Sequence, residues 1–487
     1  MKATDPSAST GRAVYAALGA CLVAVSLYCS FALPSYDNPL ATFDWTALAE
    51  KDHAASAPDE SLPTLSSPQC AASPELLAEF GMHNLRLSQV HVGSGYRVQK
   101  VLRKAARGEK LRIGLLGGSV SLGHGTDPVT HRRNKYGAVP FDEQYHQVIM
   151  RGIREAFPAA EHEFVLGAKA ATDSSFFEWC WASMICSGEE LDLVFVEMAV
   201  NDEYRNGMDS TENLLRSLLN LATAPAVLFV DFFALQNGAA QKTILTGQDV
   251  QTSLASWYDV PQVSARPVLL QAMIRDPALA QPLFLGDVRH GTARVHYFLG
   301  SMVVGYLQEE RCRMERGVLP EDGDGAWPGT EGLGKVPTVK LNEAWDAKVV
   351  HPTKPPVCAV AGAGLVPVEV SPDWKLFVWK YSKYYYETTV PDSGEIVFEA
   401  EVREGAQGLL AVSYLRSRQY NLGKARCVAD GQEVTLDGYW TATTSVAQTA
   451  IVAKGLPPGP HVVRCRTLPR GKGKDRTAFR LMAVMTL

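Results

Sequence analysis

The chain has 487 residues, 46% of them hydrophobic, with 28 prolines and a formal net charge of −5. This is ordinary globular material with room for two or three domains and a large core. The one basic cluster, HRRNK at 131–135, is too short to form a phosphate-binding stripe, so nucleic acid is set aside as a partner.

Residues 13–33 (AVYAALGACLVAVSLYCSFAL) carry no charge and are long enough to cross a bilayer as a helix. Lys2 and Arg12 precede this run and Asp37, Asp44 and Glu50 follow it, which predicts a cytosolic N-terminus and a lumenal or extracellular remainder. Ser30 and Ala32 would also suit a signal-peptidase site, but the apolar run exceeds the usual signal-peptide length and is read as an uncleaved anchor. Residues 34–75, rich in Pro, Ser and Ala, read as a stem.

Between 76 and 315 short apolar runs alternate with amphipathic stretches. LRIGLL (111–116), EFVLG (163–167), LDLVFVEMAV (191–200) and AVLFVDFF (226–233) read as buried parallel strands. Helical patterns fall at 141–157, 174–185, 211–222 and 293–310. Such alternation predicts an α/β sheet with sites at the carboxyl ends of its strands. Residues 316–365, rich in Gly, Pro and Asp, read as a linker. From 366 to 487 the apolar period drops to two between turn signals such as PDSG and DGQE, predicting an antiparallel β-sandwich.

Seven cysteines lie beyond the apolar run, an odd number that in an oxidising compartment allows three disulfides and a leftover thiol. Cys427–Cys465 and Cys180–Cys186 are the expected pairs. No C-x-x-C spacing suggests zinc, and there is no Asn-x-Ser/Thr sequon.

Chemistry concentrates at two places. The first apolar strand runs into Gly117-Gly118-Ser119-Val120-Ser121, and Asp287-Val288-Arg289-His290 lies far downstream. A serine just past a buried strand can be a nucleophile, and an Asp three residues before a His can supply the base and its orienter. The glycine-rich turn has no Lys-Ser/Thr and no G-x-G-x-x-G, so it is neither a P-loop nor a dinucleotide motif. Its other reading is a tight strand-to-helix turn with Ser119 as helix cap.

The order of these blocks resembles the SGNH, or GDSL, hydrolase superfamily, over roughly 110–310. By that resemblance Ser119 is the nucleophile, Gly167 and Asn201 join the Ser119 N–H in the oxyanion hole, and Asp287 and His290 complete the triad. It implies a flavodoxin-like three-layer α/β/α domain, here followed by a jelly-roll-like β-sandwich, with no metal or cofactor. Two positions depart from the pattern: Gly118 stands where the family has Asp, and Ala199 where it has Gly. His296 keeps the spacing of a second family histidine and is expected to pack on the helix, while Asp202 is expected to brace its loop. The variant G-G-S-V block is similar to that of membrane-anchored, polysaccharide-modifying proteins, implying an acylated carbohydrate as partner. The expected activity is a carbohydrate O-acyl esterase; an O-acetyltransferase with the same residues and a non-catalytic, membrane-tethered glycan-binding protein are the alternatives. In the C-terminal part, the alternating Phe377, Trp379 and Tyr381 are expected in the core. Tyr384–Tyr386, Arg416 and Arg418 are the surface candidates for glycan contact.

Overall fold

A computed structural model describes residues 70–124, 139, 141–185, 190–202, 207–235, 245–284, 289–319, 332–344, 356–379, 383–441, 445–469 and 476–487. The expected anchor and most of the stem lie outside the described residues, as do Asp287, Cys186 and Tyr381. Among the described residues no helix is long and apolar enough to cross a membrane.

The first domain opens with α1 (Pro74–Ser88), β1 (Gln89–His91) and α2 (Tyr96–Ala106), an entry the hydrophobic pattern did not reveal. Strands and helices then alternate: β2 (Arg112–Gly117), α3 (Tyr145–Ala156), β3 (Glu163–Ala168), α4 (Ser174–Ile185), β4 (Leu193–Glu197), α5 (Met208–Leu219), β5 (Ala226–Asp231), α6 (Gly247–Tyr258) and β6 (Gln262–Ser264). After α7 (Arg266–Arg275) and α8 (Ala280–Leu283), the long α9 (Ala293–Glu315) closes the domain. The sheet order is β1-β6-β5-β4-β2-β3, parallel except for β1 at one edge.

The strands are apolar on both faces because each face is covered. Ile113, Leu115, Phe195 and Leu228 meet one layer through Val101, Ile149 and Phe298 of α2, α3 and α9. The alternate residues Leu116, Val194, Val196 and Phe229 meet the other through Phe176, Leu214 and Leu254 of α4, α5 and α6. Period-two alternation divides one strand between two cores, and each buried Leu or Phe contributes about 1.5–3 kcal/mol. The sequence-derived α/β order therefore holds.

The C-terminal region is a sandwich of β7 (Val357–Ala361), β8 (Gly364–Leu365), β9 (Glu369–Val370), β10 (Lys375–Trp379), β11 (Lys383–Thr388), β12 (Ile396–Val402), β13 (Leu410–Arg416), β14 (Lys424–Ala429), β15 (Gln432–Asp437), β16 (Val446–Ala453), β17 (Gly459–Thr467) and β18 (Phe479–Thr486). One sheet runs β10-β11-β18-β13-β16, with β7 on β18 and β8 on β7; the other runs β15-β14-β17-β12-β9. Asp430 and Gly431, both at positive φ, make the β14–β15 hairpin, as an Asp-Gly turn should. The first strand starts at Val357, inside the segment read as linker. Its small-residue sequence VCAVA gives little strand signal on its own, and its place is fixed by pairing with β18 and packing on α4.

That packing joins the two domains. The apolar cluster containing Phe176 and Trp181 of α4 continues into Val360, Tyr385, Ala411, Leu415, Ala447 and Met482 of the sandwich. Cys180 on α4 is bonded to Cys358 on β7, which corrects the expected Cys180–Cys186 pair: the thiol points out of the helix toward the second domain rather than along its own chain. Cys427–Cys465 forms as expected between directly opposed residues of β14 and β17, and Cys70–Cys312 ties the N-terminal entry to α9.

Candidate active site

The chain after β2 makes one tight turn rather than starting a helix. Leu122, Gly123 and His124 donate backbone N–H bonds to Gly118, Val120 and Ser119. Ser119 therefore sits at the carboxyl end of a central strand, and its Oγ lies 2.7 Å from His290 Nε2. Both residues are largely buried, at 8% and 6% exposure, so the pair is shielded yet reachable. His290 comes from the segment just before α9, 171 positions along the chain. The edge of the His124 ring meets the His290 ring at 5.7 Å between centroids.

Asn201 approaches from the turn after β4, where its N–H and that of Asp202 both bond the Met198 carbonyl. Its side-chain Nδ2 donates one hydrogen to the Thr172 carbonyl at 2.6 Å. The same nitrogen lies only 2.5 Å from where a Cβ on residue 118 would stand. Glycine at 118 is thus what lets the amide close on the turn that carries Ser119, and any side chain there would push it away.

The turn that carries Ser119 rests on a residue that sequence reading missed. Glu197, the last residue of β4, lies under it, and Ser121 Oγ donates to its Oε2 at 2.8 Å. The Tyr145 hydroxyl lies 2.6 Å from the same Ser121 Oγ. Burial, more than any neighbour, pushes the Glu197 carboxyl up to about 8. The available signal was an acid ending the otherwise apolar strand LVFVE.

Gly167 is not brought to the Ser119–His290 pair. It lies inside β3 opposite Leu116, and the site of its missing Cβ is filled by Ile185. The ladder continues as Lys169 donates to the Gly117 carbonyl, and the alternation of a parallel pair commits the Gly167 N–H to the sheet. The loop that does face Asn201 comes two residues later, at 169–173. Within it Ala171 adopts a left-handed conformation at φ 64°, a strained backbone for a residue with a Cβ.

This loop is held from both sides. Asp202 Oδ1 accepts the Ser174 N–H at 2.8 Å while its Oδ2 takes Thr211 and Gln251, so it braces this loop from the neighbouring one. From the sandwich, the Ala447 N–H donates to the Ala171 carbonyl at 2.7 Å and Thr449 Oγ1 donates to the Ser175 carbonyl at 2.9 Å. His296 is buried against Tyr145, whose N–H it accepts at 3.3 Å, and burial lowers it to about 3. It is a neutral packing residue on α9, as expected.

In the sandwich, Tyr385 and Tyr386 are buried, which corrects their expected surface role: β11 lies inside its sheet, between β10 and β18. Phe377 and Trp379 pack against the interdomain cluster. Arg416 lies over the Trp440 ring and donates to Gln448, whereas Arg418 is exposed.

No family model matches the chain, and no curated protein matches it. Two solved structures of a two-domain esterase active on acetylated mannans align over 82% of this chain, at 18% identity. One, with mannopentaose, is covered over 97% of its length at a TM-score of 0.56; the other is covered over 98% at 0.57. The chain shares the fold of a two-domain esterase. The likeness bears out the expected α/β domain followed by a β-sandwich, and at this identity it concerns the fold.

Proposed function

We propose that the protein is a serine esterase that removes acetyl groups from carbohydrate. The observation that carries this reading is the 2.7 Å contact between Ser119 Oγ and His290 Nε2 at the carboxyl end of the sheet. The fold shared with esterases active on acetylated mannans supports the substrate class. In the reaction His290 takes the Ser119 proton as Oγ attacks the ester carbonyl, then returns it to the departing sugar hydroxyl. The Ser119 N–H and the Asn201 amide hydrogen not used by Thr172 would hold the oxyanion, each such donor being worth about 3–4 kcal/mol of barrier. Asp287, outside the described residues, is proposed as the orienter of His290. Water then attacks the acyl-enzyme to release acetate.

The three disulfides support an oxidising compartment, in keeping with a lumenal or extracellular location behind an N-terminal anchor. The test is incubation of purified protein with acetylated oligosaccharide and an unacetylated acceptor. Free acetate is expected; acetylated acceptor without free acetate would replace hydrolysis by transfer, and neither product would remove the enzymatic reading.

A further inference from the structure

One residue touches both segments that supply the Ser119–His290 pair. Tyr145 opens α3, and its hydroxyl lies 2.6 Å from Ser121 Oγ, in the turn that carries Ser119. The single hydroxyl proton of Ser121 goes to Glu197 Oε2 at 2.8 Å. The phenol must then donate to Ser121 Oγ, and burial, which raises the group well above its ordinary value, keeps that proton in place. The next residue adds a second hold. Gln147 Nε2 donates to His146 Nδ1 at 3.0 Å, so His146 Nε2 carries the proton and shares it between the Ser121 carbonyl at 3.2 Å and Gln144 Oε1 at 2.8 Å.

On its other side Tyr145 meets the helix that follows His290. The first N–H groups of a helix have no partner within it, and Gln144 gives α3 no side-chain cap. His296 of α9 supplies one from another helix: its Nδ1 accepts the Tyr145 N–H at 3.3 Å, and the two rings stack at 5.8 Å between centroids. The neutral ring then carries its proton on Nε2, a buried nitrogen with no hydrogen-bond partner among the described residues. A buried donor left unpaired destabilises a position where an apolar side chain would pack, and the Nδ1 acceptor is what the histidine provides in return. The crossing is close, since a Cβ on Gly300 of α9 would stand 2.7 Å from the Tyr145 carbonyl oxygen. Tyr145, Ser121, Glu197 and His296 are all at most 2% exposed.

We propose that Tyr145 is a positioning residue that sets Ser119 and His290 in register, its hydroxyl holding the turn of the one and its N–H the helix behind the other. The proposal rests on the esterase reading for its effect on turnover. Ser119 and His290 come from segments 171 positions apart and meet at 2.7 Å, a contact that a small slide between turn and helix would open. Tyr145 spans that joint. Being wholly buried, it acts on the geometry of the pair and not on substrate binding.

The test uses the full chain carrying Tyr145→Phe, which keeps the ring stack and the backbone bond and removes the hydroxyl. On an acetyl ester kcat should fall about tenfold with KM unchanged. Ser121→Ala should give a similar loss, and the double variant no more than the larger single one. His296→Asn, whose amide oxygen can accept the Tyr145 N–H, should stay within about threefold of wild type, whereas His296→Leu should lose about tenfold. In parallel, the nitrogen NMR shift of His290 Nε2 reads its bond to Ser119 without turnover, and in Tyr145→Phe it should move toward the value found in Ser119→Ala. An unmoved shift or a wild-type kcat in folded Tyr145→Phe, a loss carried by KM, or losses that add in the double variant would overturn the proposal. Should Tyr145→Phe not fold, equal activity of His296→Asn and His296→Leu would overturn it. A shift that moves in a chain releasing no acetate would leave the positioning role standing and remove the esterase reading.

Discussion

The turn after β2 and the loop after β3 form two walls of the same site, yet different parts of the chain hold them in place. Among the described residues the turn carrying Ser119 is braced from within the α/β domain: Ser121 Oγ donates to Glu197 and meets the Tyr145 hydroxyl. The loop carrying Ala171 and Thr172 is held partly by Asp202 and partly by Ala447 and Thr449 of the sandwich. Ser119 therefore depends on its own domain, whereas the wall that anchors the Asn201 amide depends on both. On this comparison the sandwich is a structural part of the candidate site, and the apolar seam and the Cys180–Cys358 bond keep it there.

The largest effect is expected at the point where the two walls meet. Asn201→Ala should lower kcat by about a hundred- to a thousand-fold with a small change in KM, because the lost donor acts on the transition state. Stopped-assay kinetics on an acetyl ester would check it, and an unchanged kcat would separate Asn201 from the oxyanion. Gly118→Ala comes next. Its Cβ would stand 2.5 Å from the Asn201 nitrogen, and forced repacking of this size costs about 1–3 kcal/mol, enough to cut kcat roughly ten- to a hundred-fold. Its loss should be small when measured in the Asn201→Ala background, since the clash is with that side chain.

Thr449→Val tests the contribution of the sandwich. Removing one hydrogen bond of about 1 kcal/mol should slow turnover by roughly fivefold, with Thr449→Ser restoring it and KM for a small ester unmoved. Full activity in Thr449→Val would show that this bond from the sandwich does not bear on turnover.

The smallest effect is on stability against pH. Burial raises Glu197 and Asp231 to about 8, Asp173 to about 7 and Asp202 to about 6. The folded chain therefore holds protons that the unfolded chain has released, so this stabilisation is full below the ordinary carboxylate range and is lost as pH rises through 6 to 8. His146 and His296, lowered by burial to about 4 and about 3, act the other way and cost stability only below their ordinary value of 6.5. Between pH 6.5 and 8 the carboxyl groups decide the slope, and Tm should fall across that window. Glu197→Gln should flatten the decline; a Tm that rises from pH 6.5 to 8 would contradict the protonation assigned to the buried carboxyls.

What could be read from the sequence was what local pattern encodes. Strands β2 to β5 and helix α4 stand out because each is a short apolar run or a continuous helical stretch, and Ser119, Asn201 and His290 lie at element ends where the chain must turn. Gly167 misled because its spelling fits a block while its ladder position, opposite Leu116, commits its N–H to the sheet. Glu197 was invisible as a brace because a terminal acid on an apolar strand looks like a strand end; only the turn folded over it gives it donors. The Cys180–Cys358 bond and the burial of Tyr385 and Tyr386 are set by how the sandwich packs and which strands flank β11, neither of which leaves a local signal.

The central claim is that His290 activates Ser119 as a nucleophile. The direct measurement is labelling of the purified chain with a fluorophosphonate, followed by peptide mass mapping. A single adduct on Ser119, absent in Ser119→Ala and strongly slowed in His290→Ala, is the expected result. No adduct on the folded wild-type chain, or equal labelling after Ser119→Ala, would contradict it.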